Sequence, residues 1–203
     1  MAFDINNFKA NGLTRGGARP SLFRVEMSLP PGVTNALSKF TFTCRASSVP
    51  ASSIAPVEVP YFGRKIKLAG DRSFADWSVT IMNDEDFDVR SMFEEWSFNI
   101  NTYEDNIKRS ERNVYKAADA VVTQYGKIGV TNPIAAYTFV GLFPLEISAM
   151  ELDWDSTNTI QTFNVTFAYD YWIPGRQLGR TRTDVNLGAG QGAGTIVLGD
   201  APT

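Results

Sequence analysis

The period-2 placement of large apolar residues within 160–172 is the feature that most constrains the fold of this chain. Large apolar side chains occupy every second position: Phe163, Val165, Phe167, Tyr169 and Tyr171. Successive side chains of a β-strand point to opposite faces, so this pattern predicts a strand with one buried face. A turn-forming Asp-Ser-Thr-Asn run at 155–158 separates it from another apolar segment, 147–154. The two segments are therefore predicted to pair as a hairpin.

The same period predicts further strands and a mainly β fold. The predicted strands are 23–29, 40–46, 64–69, 76–82, 120–125 and 136–142. Prolines at 50, 56 and 60 indicate a loop-rich passage, and Gly70-Asp71-Arg72 is predicted to separate two strands. Cys44 falls in phase with Phe40 and Phe42, which favours a small core residue over a nucleophile. A single cysteine forms no intramolecular disulfide, which suits synthesis in a reducing cytoplasm.

One helix is predicted after position 83. Its apolar residues recur at helical spacing: Val89, Met92, Phe93, Trp96 and Ile100. Asn83 or Asp84 is the predicted cap. The acids of this region, Asp84, Glu85, Asp86 and Asp88, are interpreted as first-turn residues that complement the helix dipole. A cation site is the alternative interpretation of the same run.

Length and charge bound the class of protein. The 203 residues suit one domain at 21–173, with an N-terminal arm at 1–20 and a glycine-rich extension at 174–203. There are 19 basic and 22 acidic residues, a near balance that gives no basic face for gripping nucleic acid. No apolar run approaches the roughly 20 residues that span a bilayer, and no secretory signal opens the chain, so no membrane anchor is expected.

The sequence lacks the residues and motifs on which most enzymes rely. The sequence contains no histidine, no glycine-rich phosphate loop and no dinucleotide fingerprint. The best catalytic candidates are Asp153 and Asp155, which would face the same way on an extended strand. They also resemble the start of a calcium loop, but Asn158 and Asn164 stand where such loops need Gly and Glu. A turn with solvated carboxylates is favoured, so no enzyme activity, metal or cofactor is expected.

Two long passages then resemble a known family. They are GRKIKLAGDRSFADWSVTIMND at 63–84 and ELDWDSTNTIQTFNVTFAYDYW at 151–172. Both are similar to the tail tube proteins of myovirus-type, contractile-tailed bacteriophages, in the same order and at similar separation. RPSLFRVE at 19–26 and FTCRA at 42–46 match the family pattern too. The likeness runs from about 19 to 172, and the extension to Thr203 departs from it.

The resemblance implies two packed antiparallel β-sheets, sandwich-like or barrel-like, flanked by one α-helix. It implies hexameric rings whose sheets join into one continuous barrel, and stacking of these rings into a hollow tube. The implied partners are other copies of the chain, the contractile sheath, and the baseplate, tape-measure and terminator proteins. DNA would pass through the lumen without specific binding. The implied location is the virion tail, and the fold would be shared with type VI secretion and bacteriocin tubes.

Two sets of contact residues are predicted. The first combines aromatic and charged residues suited to a contact between subunits or rings: Tyr61, Phe62, Arg64, Lys65, Asp71 and Arg72. The second lies in the C-terminal extension and is expected to meet a neighbouring subunit on the outer side of the tube: Arg176, Arg180, Arg182, Ile196, Val197 and Leu198.

Alternative functions remain open at this point. The chain could be a baseplate tube initiator or another tube-like tail component, which differs from a tube subunit in abundance and assembly length. A soluble β-sandwich binding module would instead stay monomeric or form a small closed oligomer. An enzyme would need Asp153 and Asp155 to converge on a pocket with a third acid.

Overall fold

The computed structural model of the chain describes residues 17–34, 36–116, 118–127 and 129–175, with the isolated positions 5 and 11. The strands are β1 (Phe23–Met27), β2 (Cys44–Ser47), β3 (Ser52–Tyr61), β4 (Arg64–Phe74), β5 (Trp77–Met82), β6 (Ala118–Gly126), β7 (Gly129–Ile147), β8 (Thr162–Ala168) and β9 (Tyr171–Pro174). The helices are α1 (Leu37–Thr43), α2 (Asp88–Ile100) and α3 (Arg112–Tyr115). Within the described ranges, no helix is long and apolar enough to cross a membrane.

Seven strands form an antiparallel network in the order β1–β6–β7–β8–β5–β2, and β9 also pairs with β7. The long strand β7 belongs to two sheets. Up to Leu142 it pairs with β6 and β9, and from Phe143 it pairs with β8. The fold is therefore mainly β with two antiparallel sheets, as the sequence predicts. The remaining strands, β3 and β4, pair only with each other.

The bend in β7 lies at Gly141, where the two sheets meet. Its φ of +72° is in the left-handed region that favours glycine. A β-carbon at this position would lie 2.5 Å from Oδ2 of Asp170, so crowding also excludes a side chain. Asp170 stands between β8 and β9, and its backbone N–H donates to the Val140 carbonyl. This contact directs β8 onto one half of β7 and β9 onto the other.

The core fills the space between the two sheets and α2. The Trp77 ring on β5 stacks on Phe139 of β7, with centroids 4.6 Å apart and an interplanar angle of 12°. Trp77 also contacts Phe167 of β8, which meets Phe93 of α2 edge-to-face. The buried residues of α2 are Val89, Met92, Phe93 and Trp96. Their spacing places them on one face, which confirms the predicted helix.

The predicted helix cap is wrong. Helix α2 begins at Asp88 after Phe87, which has a φ of +56° and makes no side-chain capping bond. Of the four acids assigned to its first turn, Asp88 alone lies there. Asn83 instead follows β5, and its side-chain amide donates to Gln161. Asp84 and Asp86 pair with Lys39 of α1.

The predicted strand at 40–46 is wrong over its first half. Residues up to Thr43 belong to helix α1, which buries Phe40 and leaves Phe42 82% exposed. The hydroxyls of Thr41 and Thr43 donate to the carbonyls of Leu37 and Lys39, one turn earlier, as threonine hydroxyls in helices can. Cys44 begins β2 and is only partly buried. Desolvation still raises the pKa of its thiol to about 12.

The strands β7 and β8 do pair as an antiparallel hairpin, but through residues 143–147 of β7 and not through the predicted segment 147–154. β7 ends at Ile147 and β8 begins at Thr162, so the strand predicted over 147–154 is wrong. In the loop, the Asp155 N–H donates to Oδ1 of Asp153 at 3.1 Å and the Ser156 hydroxyl donates to Oδ2. Such an Asx turn competes with extended structure. The turn interpretation of these two acids therefore holds, and they do not face one way along a strand.

Candidate assembly surfaces

A long two-stranded hairpin projects from the core, and we call residues 52–74 the hairpin arm. It consists of β3 and β4, paired from Ser52↔Phe74 to Tyr61↔Arg64. The passage predicted as loop-rich is thus a strand, and β4 runs through Gly70-Asp71-Arg72 without a break. Prolines fit here because a two-stranded ladder leaves its outer N–H positions unpaired. A strand of this length carries the tip of the arm roughly 30 Å from its base.

The arm has one apolar face, although it belongs to no core. Directly opposite residues of an antiparallel pair share a face. The pairs Val57↔Leu68 and Val59↔Ile66 therefore lie on one side, followed by Tyr61 at the tip. All five side chains are at least two-fifths exposed in the single chain. The opposite side carries Glu58 with Lys65, whose ion pair measures 2.8 Å.

The tip is a two-residue turn with an unusual residue. Phe62 and Gly63 have φ values of 43° and 76°, as a type I′ hairpin turn requires. Asparagine is the usual first residue of such turns, whereas Phe62 is strained there and is 91% exposed. Its ring packs edge-to-face on Tyr61, with centroids 4.7 Å apart.

The predicted contact residues separate into two groups along the arm. Tyr61, Phe62, Arg64 and Lys65 come together at the tip. Asp71 and Arg72 instead lie towards the base, where Arg72 donates to the Ser52 hydroxyl. The sequence pattern groups all six as one contact set and predicts that Gly70-Asp71-Arg72 separates two strands. In the structure Gly70 instead crosses close to the β3 backbone, since a β-carbon there would lie 2.6 Å from the Ala55 carbonyl oxygen.

The base of the arm is attached firmly to the core. The Ala75 N–H donates to the Ala51 carbonyl, and the Tyr169 hydroxyl donates to the Ala75 carbonyl. Desolvation is the main reason why the pKa of Tyr169 is raised to about 12. The Phe74 ring also packs on Tyr169 and Trp172. The arm is therefore fixed at one end and uncovered along the rest of its length.

A second exposed surface lies in the loop between β7 and β8, and we call residues 151–160 the acidic loop. Its apolar side chains are Leu152, Trp154 and Ile160, and Trp154 is 98% exposed. Its charged residues are all acidic: Glu151, Asp153 and Asp155. Asp153 and Asp155 were considered from the sequence, whereas Trp154 was assigned no role. The available signal was a large aromatic between two acids within a turn-forming run.

The hairpin arm and the acidic loop lie at opposite ends of β5. The arm leads through Ala75 and Asp76 into Trp77, which pairs with Phe167. At the other end Met82 pairs with Thr162, the first residue of β8, which lies two residues after the acidic loop. A strand of six residues is about 20 Å long. The chain thus presents two different uncovered surfaces at its two ends.

The acids before α2 converge on one lysine. Nζ of Lys39 lies 2.9 Å from carboxylate oxygens of Asp84 and Asp86, and it also donates to Asp88. These bonds raise the pKa of Lys39 above its ordinary value, and the bond to Asp88 has the largest effect. The three carboxylates are close enough to hold a metal ion, but the Lys39 ammonium lies among them. The cluster links α1 to the start of α2.

The C-terminal contact residues lie outside the described part of the chain. This applies to Arg176, Arg180, Arg182, Ile196, Val197 and Leu198. The described chain extends one residue beyond β9, to Gly175, whose N–H donates to the Ala136 carbonyl at 2.7 Å.

Solved structures of low sequence identity share this fold. One is a chain in the cryo-EM structure of the anti-feeding prophage baseplate, with a TM-score of 0.55 and 13% identity. The match covers 78% of this chain and 95% of that chain. Another is a chain in the sheath–tube complex of an extracellular contractile injection system, with a TM-score of 0.53 and 13% identity. That match covers 85% of this chain and 98% of the other.

Sequence relatives identify the family. The tail tube protein gp19 of Enterobacteria phage T4 is 41% identical over 157 residues, which cover 76% of this chain and 90% of the relative. The tail tube protein of Serratia phage KSP90 is 24% identical over 169 residues, covering 81% of this chain and 93% of the relative. The family described as phage tail tube protein matches residues 18–174. The resemblance seen in the sequence is thereby confirmed, and this chain belongs to the phage tail tube protein family.

Proposed function

We propose that this protein polymerises into hexameric rings that stack into a hollow tube, and that the hairpin arm makes contacts between copies. Membership of the tail tube family makes the chain a structural component of the virion tail. The observation that carries the role of the arm is its uncovered apolar face. A lone two-stranded hairpin is marginally stable in water, so an arm of this length gains stability from a second surface.

The exposed apolar surface of the arm is large enough to stabilise a contact between copies. Five apolar side chains along the arm are half-exposed, and Phe62 at the tip is almost fully exposed. Burying a side chain of this kind contributes about 1.5–3 kcal/mol relative to exposure. Among the predicted contact residues, Tyr61 and Phe62 would act as aromatic anchors. Arg64, Lys65, Asp71 and Arg72 would form the polar rim that surrounds them.

The other partners are proposed from the assemblies in which structurally similar chains occur. The neighbours come from a baseplate, a sheath–tube complex and a tube-terminating cap. For this chain, a sheath, a baseplate and a terminator are the corresponding proposed partners, with a tape-measure protein inside the growing tube. The extension at 174–203 is proposed to meet a neighbouring subunit or the sheath on the outer side. Arginines within the bore would instead bind DNA phosphates.

DNA is proposed to pass through the tube without being held. A basic lining would retain the phosphates and slow passage, so we expect a neutral to negative lumen. The overall formal charge of −3 supports this expectation. Tight binding of DNA by assembled tubes, weakening steeply as salt rises, would contradict it.

Electron microscopy of the purified protein tests the proposed function. Protein at high concentration, with and without baseplate seeds, is expected to form hollow tubes with a regular repeat of rings. The seeded sample is the decisive one, because spontaneous nucleation can be slow. Monomers alone in the seeded sample would contradict the proposal. Small closed oligomers would favour a binding module, and short tubes that stop after one ring would favour an initiator.

A further inference from the structure

We propose that the tip of the hairpin arm docks on the acidic loop of the next copy in the stack, with Phe62 against Trp154 and Arg64 against Asp155. This inference rests on the proposed tube function and names the two surfaces that meet. It follows from three observations: two exposed aromatic sites that the fold does not need, opposite charge, and their positions at opposite ends of the chain.

The fold does not need an aromatic residue at the tip of the arm. Phe62 adopts a φ of 43°, which favours Asn or Gly, and its ring contacts Tyr61 alone among the described aromatic side chains. A non-glycine residue held in this region is strained unless its surroundings compensate. In the single chain the ring is 91% exposed, so the core supplies no compensation. A partner surface that buries the Phe62 ring would supply that compensation.

The acidic loop does not need its aromatic residue either. The loop is shaped by the Asp153 carboxylate, which accepts bonds from the Asp155 N–H and the Ser156 hydroxyl. The Trp154 side chain is 98% exposed, next to the exposed Leu152. Tryptophan is the residue most enriched among those that dominate interface energies. The loop therefore presents an aromatic anchor within an acidic surface.

The two surfaces carry opposite charge. The arm contains four basic and two acidic residues, and the acidic loop contains three acids and no base. On the arm, Lys65 is already paired with Glu58, whereas Arg64 at the tip has no ion pair within the described chain. Glu151 and Asp155 likewise form no ion pair with any described residue. Opposite charge steers association and fixes its orientation.

The positions of the surfaces select a second copy as the occupant. They lie at opposite ends of β5, so one chain does not bring them together. Two copies displaced along the strand direction do, and the same contact then repeats with a third copy. A contact between two different patches of one protein continues in this way instead of closing as a dimer. The arm adds the necessary reach, roughly 30 Å from its base.

Charge reversal with rescue tests the pair. Arg64→Glu and Asp155→Arg are each expected to raise the protein concentration needed for seeded tube growth by at least about tenfold, because each juxtaposes like charges. The double variant R64E/D155R is expected to restore growth to within about threefold of the wild type. Asp105→Arg is the matched control. It reverses an exposed acid after α2, should not impair growth alone and should not rescue R64E. Circular dichroism confirms folding of each variant.

The outcomes separate this inference from the proposed function. If wild-type protein forms no seeded tubes, the proposed function fails. If it forms tubes and both single reversals grow equally well, the pairing of arm and loop is wrong while tube formation stands. Impaired single variants without rescue in the double variant also overturn the pairing.

A second measurement keeps the test independent of charge. Phe62→Asn suits the turn, so it should leave thermal stability unchanged or higher while reducing seeded growth about tenfold or more. In a Cys44→Ser background, Phe62→Cys is combined with Trp154→Cys and seeded at a concentration raised enough to offset the lost aromatic contact. A short bismaleimide should then crosslink the tubes into a ladder of dimers, trimers and longer chains. Each cysteine alone should give no ladder. Undiminished growth of F62N, or no ladder in tubes of the double cysteine variant, overturns the proposal.

Discussion

Gly141 and Asp170 approach so closely that a β-carbon on residue 141 would lie 2.5 Å from Oδ2 of the aspartate. The other carboxylate oxygen of Asp170 accepts a bond from Nζ of Lys116 at 2.5 Å. The same residue pair marks the point where β7 leaves one sheet and enters the other. Asp170 therefore links the bend of β7 at Gly141 to Lys116, which lies between α3 and β6.

We predict that Gly141→Ala lowers the free energy of unfolding by more than backbone strain alone explains. The left-handed φ contributes about 1–3 kcal/mol, and displacing Asp170 adds to this. Gly32→Ala is the matched control, because Gly32 has a φ of +87° and nothing near the site of a β-carbon. Urea denaturation of both variants measures the difference. Equal losses of stability would show that the close approach to Asp170 has no energetic consequence.

We predict that Lys39→Met destabilises the fold, since it leaves the carboxylates of Asp84, Asp86 and Asp88 close together without their cation. The destabilisation should shrink as salt rises from about 0.05 to 1 M, because salt screens the repulsion. The raised pKa of Lys39 keeps the ammonium charged, so its contribution is full below the unfolded value of about 10.4 and is lost above the folded value.

Lys65→Met is the control for this prediction. Lys65 is exposed and pairs with Glu58 alone, and pairs of that kind contribute little. Thermal unfolding of both variants between pH 7 and 9 is the measurement. If K39M melts with the wild type at low salt, the cluster contributes nothing to stability.

We predict that Cys44 reacts slowly with iodoacetamide at pH 8. Desolvation raises the pKa of its thiol to about 12, so the reactive thiolate is scarce. Alkylation of the folded protein should be at least about a hundredfold slower than that of an ordinary exposed thiol. Phe42→Cys in a Cys44→Ser background supplies that comparison two residues away, because position 42 is exposed. Similar rates for the two thiols would refute the prediction.

We predict that truncation after Gly175 leaves the subunit fully folded while weakening tubes or their coupling to sheath. This truncation keeps β9 and the bond from the Gly175 N–H to Ala136. Truncation after Trp172 instead removes the pairing of Ile173 with Thr138 and of Pro174 with Tyr137. It should therefore lower the melting temperature as well. If the Gly175 truncation gives tubes that match the full-length ones in heat resistance and sheath binding, the extension has another role.

The sequence predicted those parts of the fold whose pattern is set by burial. Phe163, Val165 and Phe167 alternate because one face of β8 meets the core, and Val89 to Trp96 repeat with helical period for the same reason. It failed where tertiary contacts override local preference. Phe40 to Thr43 have β propensity, yet packing of Phe40 against Phe93 favours a helix.

The candidate surfaces were predicted less completely, for a physical reason. The hairpin arm belongs to no core, and its apolar alternation is interrupted in the sequence by Pro56 and Pro60 and by the turn-like Gly70-Asp71. Phe62 and Arg64 were predicted as contact residues because aromatic and charged residues occur together there. Their position at the tip depends on the register of β3 and β4. Trp154 was missed because a tryptophan in an alternating run predicts a buried residue, and only the Asx turn at Asp153 shows that the strand has ended.

The placement of the arm and the acidic loop at opposite ends of β5 gives any polymer joined through them a polarity. One terminus of such a tube always displays unoccupied basic, aromatic tips, and the other always displays unoccupied acidic loops. A protein that nucleates growth and one that arrests it can then recognise different chemistry, although every subunit between them is identical. A cap with an acidic, aromatic face would match one terminus alone, so with this contact the polarity of the tube would follow from the single subunit.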